Sequence, residues 1–243
     1  MIGITFILTL GLIFVHLFSK NLHFLKAVPR HRFLSLSSGI AVAYVFVHLL
    51  PELNHYQKML ENSLENEFWI ILEDHIYMVA MVGLMVFYGL ELLVRKNKKD
   101  SENQENEENS LRIFQLHMGL FFIYNSIIGY LLIRGEYEGV LGHIFYFIAM
   151  ALHFITNDWS LRSSHPHVYD RYGRWLLSFA VLFGWSIGAF VDIREVVISL
   201  MAAFLAGGII LNVMKEELPE DRSSSVPSFV FGVVIFTGLI MFI

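Results

Sequence analysis

The sequence predicts an all-α integral membrane protein with eight transmembrane helices, and three observations carry that expectation. Of its 243 residues 56% are hydrophobic and 16% charged, against roughly 45–50% and 25% in a soluble domain. The apolar residues fall in long blocks, and a hydrocarbon core about 30 Å thick needs ~20 of them per helical span. Lys and Arg, finally, crowd into alternate loops, as orientation in a bilayer requires. A soluble enzyme and a nucleic-acid binder are excluded. There is no cysteine, so disulfides, thiolate metal sites and cysteine nucleophiles are excluded as well.

Taken in order, the blocks cover 2–18, 33–50, 70–94, 111–133, 140–160, 175–192, 196–214 and 227–243. The first lacks a basic start and is followed by Lys20, Asn21 and His23 instead of a small-residue cleavage site, so it reads as a span and not a signal peptide. Irregular backbone cannot face lipid, so the blocks read as helices. The break at Ile193, Arg194 and Glu195 is short, and a seven-span count would fuse its flanks into one overlong helix. The residues 1–243 form one transmembrane domain. Within it, 95–110 is almost devoid of apolar side chains and rich in Glu and Asn, which predicts a disordered loop. Residues 52–68 place Leu53, Tyr56, Leu60, Leu64 and Phe68 on one helical face, the pattern of an amphipathic segment lying on the membrane surface.

The odd-numbered loops carry fourteen of the 17 basic residues, leaving only Lys58, Arg134 and Arg194 to the even loops. That places odd loops in the cytoplasm and both termini outside, in a plasma (inner) membrane. The sequence also repeats itself. Span two ends Leu50-Pro51-Glu52 and span seven ends Leu218-Pro219-Glu220, on opposite sides of the membrane. This is the mark of an inverted repeat of spans 1–3 and 6–8 around spans 4 and 5, although three residues that often end helices also coincide by chance.

Polar groups at membrane depth point to a site, because they are costly unless they face a partner or a wet cavity. Span four carries Tyr124, Asn125 and Ser126; span five carries His153, Asn157 and Asp158. His153 and Asn157, four residues apart, share a face, and Asp158 lies beside them toward the cytoplasm. Imidazole, amide oxygen and carboxylate suit a borderline divalent cation such as zinc; equally, His153 and Asn125 could hydrogen-bond between helices. His48 and Glu52 share a face at the end of span two, as an outer cation site or a helix cap. His75 belongs to a solvated acidic rim, His117 and His143 to span ends near the interface, and His165-Pro166-His167 to a loop.

At these residues the chain resembles the ZIP family of divalent-metal transporters. His48-Leu49-Leu50-Pro51-Glu52 looks like the end of that family's second span, and Gly207-Gly208 through Leu218-Pro219-Glu220 is similar to its seventh. The resemblance implies eight spans with both ends outside, inverted repeats, a homodimer, and passage of zinc or related cations into the cytoplasm. On that reading Asn125, His153, Asn157 and Asp158 are the metal-path residues, the metal is transported substrate, no cofactor is bound and the protein is not an enzyme. The chain departs from the family where ligands matter. Its fourth-span signature, His-Asn-x-x-Asp/Glu-Gly, here reads Tyr124-Asn125-Ser126-Ile127-Ile128-Gly129. In the fifth, His-Glu-x-Pro-His-Glu, the positions after His153 hold Phe154, Thr156, Asn157 and Asp158. The departures leave a second reading, a ZIP-fold protein without conventional metal transport, and a third, an intramembrane metal-dependent hydrolase.

Overall fold

A computed structural model describes residues 1–19, 30–63, 76–102, 107–135, 137, 139–164, 166–217 and 225–241. Among them the regular structure is entirely helical. We label the helices α1 (Ile2–Phe18), α2 (Arg30–Ala43), α3 (Leu50–Ser63), α4 (Ile76–Glu102), α5 (Glu107–Arg134), α6 (Gly139–Ser164), α7 (Arg174–Phe190), α8 (Glu195–Glu217) and α9 (Val226–Ile240).

Among the described residues six helical stretches are long and apolar enough to cross a bilayer: Ser35–Lys58, Ile76–Val94, Arg112–Arg134, Gly139–Arg162, Pro166–Phe190 and Glu195–Met214. They make the chain a multi-pass membrane protein. The first and last expected spans are apolar helices of only 17 and 15 residues. At 1.5 Å per residue these reach roughly 25 and 22 Å, short of a ~30 Å core. The surface agrees with a lipid solvent: Ile7, Phe14, Met85, Phe179, Phe231 and Val234 are all exposed, a larger apolar surface than a water-soluble monomer carries.

One segment differs from expectation. Residues 52–63 do not form a separate surface helix; α2 runs through a π-helical turn, Tyr44–Leu49, directly into α3. Pro51 explains the turn. It has no N–H for the Val47 carbonyl, and its ring would crowd that oxygen. The chain widens by one residue instead, with the Leu50 N–H bonding Val45 O, the usual relief for such a clash. Leu53 and Tyr56 are buried, so this face packs on the bundle; Leu64 and Phe68 lie outside the described residues. In the stretch expected to be disordered, α4 continues to Glu102 and α5 starts at Glu107, leaving 103–106 outside the described residues. Glu and Lys are good helix formers, and extending an existing helix escapes the penalty of nucleation.

Helices pair through glycines. α4 lies along α8, α2 along α9 and α5 along α7, while α1 contacts α7 and α6. In each of the first three pairs, glycine meets backbone from both sides. A Cβ on Gly83 would strike Phe204 O and one on Gly207 Ala80 O; Gly39 meets Phe229 O and Gly232 Leu36 O; Gly129 meets Val181 O and Gly184 Ser126 O. With no hydrophobic drive between helices in lipid, such backbone approach is what holds them.

A buried polar centre at α1, α5 and α6

α1 presents one polar stripe to the protein: Thr5, Thr9, Leu12 and His16 are its buried residues. Both ends of the stripe are tied to α7. Trp185 Nε1 donates to Thr5 Oγ1 at 3.1 Å, and Arg174 Nη1 donates to the Leu17 carbonyl at 3.1 Å. Arg174 is itself held by Nε on Asp170 O at 2.8 Å, and Asp170 accepts two bonds from Arg162, at 2.7 and 2.8 Å. A second π-helical turn, Tyr169–Gly173, shapes this knot. Ser19 Oγ adds a bond to His16 O at 2.7 Å. Orphan carbonyls at the end of α1 are thereby satisfied, which fixes the height at which His16 enters the core. Arg174→Met should cost about 1 kcal/mol and speed amide hydrogen exchange over residues 14–18 without unfolding α7.

His16 is the centre of the site. Its Nδ1 lies 3.0 and 2.9 Å from the two Asp158 carboxylate oxygens, and its Nε2 3.0 Å from Asn125 Oδ1. All three side chains are 0% exposed. The proton positions follow from the donors available. Asn125 Nδ2 donates to Phe121 O at 2.7 Å, so its other atom is the acceptor oxygen and His16 Nε2 must carry hydrogen. One further proton is then shared between Nδ1 and the carboxylate. Whichever atom holds it, the pair is net neutral, and the imidazole stacks on Phe154 at 4.3 Å between centroids.

The remaining expected residues lie nearby but are separately engaged. His153 is 4% exposed, and its Nε2 shares a 2.9 Å hydrogen bond with the Tyr124 hydroxyl. Asn157 is buried, and its Nδ2 has no hydrogen-bond partner among the described residues. Two cavities of about 10 Å³, each room for roughly one water, flank this region. One touches His153, Thr156, Ser37 and Asn212; the other touches Asn157, His117, Ser160 and again Asn212. A water in the second would give the Asn157 amide an acceptor.

Asp158 is fully buried, with the His16 imidazole against its carboxylate. His117 and His143 are buried within the bundle, and a 2.7 Å hydrogen bond joins His143 Nδ1 to Gly139 O in the first turn of α6. His16, which the sequence reading did not single out, is buried completely. The signal for it was present in Thr5, Thr9, Leu12 and His16, spaced 4, 3 and 4 along one face of the first block, a polar stripe in an otherwise apolar helix.

The donor set does not fit a bound divalent metal. A zinc ion needs donors about 2.0–2.2 Å away on all sides, and here the imidazole itself separates the Asp158 carboxylate from Asn125 Oδ1. Among the described residues no group of three or more His, Asp or Glu side chains is gathered closely enough to hold a metal. Comparison with known proteins leaves the matter to this geometry: no protein-family model matches the chain, and no curated protein matches it.

Proposed function

We propose that this is a ZIP-like membrane protein of eight spans whose centre carries a self-neutralised His16–Asp158 pair in place of a resident metal centre, serving a structural or regulatory role instead of conventional zinc import. The observation that carries the reading is His16: it takes both oxygens of the only carboxylate among the expected ligands and hands its other nitrogen to Asn125.

The ZIP-like layout rests on packing. An inverted repeat would exchange α1 with α7, α2 with α8, α4 with α9 and α5 with α6. Under that exchange the pair α4–α8 maps onto α9–α2, α5–α7 onto α6–α1, and α2–α6 onto α8–α5, and each of these contacts exists. The contacts α4–α5 and α1–α5 have no counterpart of similar extent. The register agrees as well. Gly39 stands twelve residues before Pro51, Gly207 stands twelve before Pro219, and both glycines meet a neighbouring backbone. Coincidence is a weaker account of Leu-Pro-Glu once a packing glycine repeats in step with it. Both termini then lie outside, and a homodimer remains part of the proposal.

A second reading, divalent-cation transport, draws on the Asn157 amide, without a partner among the described residues, and the water-sized spaces beside His153. Zinc uptake into sealed proteoliposomes separates the two. The leading reading expects uptake no greater than in protein-free vesicles. Uptake that is saturable, and lost in His153→Ala, would establish transport instead.

A further inference from the structure

A larger cavity lies away from the His16 centre, beside Pro51 at the start of α3. It encloses about 520 Å³, within the range of small-molecule sites and far beyond what a bare metal ion needs. Its walls are aromatic: Tyr44, His48, Tyr137 and Tyr146 line it together with Phe145 and Phe236. The rings form a continuous surface. Tyr44 and His48 lie 5.3 Å apart between centroids, His48 and Tyr137 6.3 Å, and Tyr137 and Tyr146 4.8 Å.

One carboxylate, Glu52, joins this wall, with its side chain 12% exposed. The Tyr56 hydroxyl donates to its Oε1 at 3.0 Å and His48 Nε2 lies 3.6 Å from Oε2, so the acid is held toward the rings. Among the described residues no Lys or Arg lines the cavity. Ring faces carry negative electrostatic potential and attract cations, most strongly when water is excluded. A chamber whose described lining holds several aromatic faces, one carboxylate and no Lys or Arg therefore selects a positively charged guest with an apolar surface.

We propose that this cavity binds an organic ammonium group, either a free amine of the choline type or the ammonium of a lipid headgroup. The positive nitrogen sits among Tyr44, Tyr137 and Tyr146 with Glu52 as counter-charge, while its methyl or methylene groups fill the remaining volume against Phe145 and Phe236. The π-helical turn at Tyr44–Leu49 builds the site, since it brings Tyr44, His48 and Glu52 to the same wall.

Choline titrated into the full-length protein in detergent micelles, followed by calorimetry, tests this. Saturable binding is expected for choline, and none at the same concentrations for 3,3-dimethyl-1-butanol, its neutral isostere. Glu52→Gln and Tyr137→Leu should each weaken choline roughly tenfold, the equivalent of about 1.4 kcal/mol, whereas Tyr137→Phe, which keeps the ring, should bind about as wild type does. If Tyr137→Leu melts early, Glu52→Gln decides, since the amide preserves the shape. Nanodiscs identify the source. Choline binding in phosphatidylglycerol but not phosphatidylcholine discs assigns the site to a lipid headgroup; binding in both assigns it to a free amine. Equal binding of the neutral isostere, undiminished binding by Glu52→Gln, or no saturable choline binding in micelles overturns the proposal.

Discussion

His16→Ala is expected to destabilise the protein by about 3–5 kcal/mol, the usual penalty for leaving one partner of a buried ion pair without its counter-charge. The Asp158 carboxylate would lose both contacts to Nδ1 while staying fully buried, and Asn125 Oδ1 would lose its donor. Asp158→Asn should rescue His16→Ala in part, because an amide needs no counter-charge. Denaturant unfolding in micelles on the two single variants and the double variant gives the coupling directly. A coupling near zero would mean that His16 and Asp158 are neighbours without being partners. Leu at both positions should be close to neutral, since apolar replacement of a whole buried pair often is.

Gly184→Leu is the second large effect. A Cβ at that position would overlap the Ser126 carbonyl, which is backbone and cannot rotate away, so α5 and α7 must separate. Overpacking of a close helix contact costs 1–3 kcal/mol and sometimes more, and here about 3 kcal/mol or loss of folded protein is expected. Because Ser126 follows Asn125 directly on α5, the shift should also break the Asn125–His16 bond. Gly119→Ala and Gly238→Ala are the controls. Nothing lies within 4 Å of a Cβ at either, and a helical Gly→Ala change without strain stabilises by ~0.4–1 kcal/mol. Thermal melting of the three variants checks the ordering.

Hydropathy made the helices legible, because lipid leaves the backbone few alternatives. It misjudged one end. Pro51 was read as a stop, yet a π-helical turn absorbs it and carries the chain on to Ser63. At the centre, Asn125, His153, Asn157 and Asp158 are all buried, but their partners were not legible. Spacing along α6 shows that His153 and Asn157 share a face; it says nothing of which helix faces Asp158. The answer, His16, lies 142 residues away. Its stripe on α1 could have been seen, whereas its pairing depends on how α1 seats against α6 and α7.

The most direct test of the central claim is the zinc content of the purified full-length protein after equilibration with zinc and removal of free metal. A centre already neutralised by His16 retains no stoichiometric zinc, and neither Asp158→Asn nor His153→Ala changes that result. One zinc per chain, released by either substitution, would contradict it.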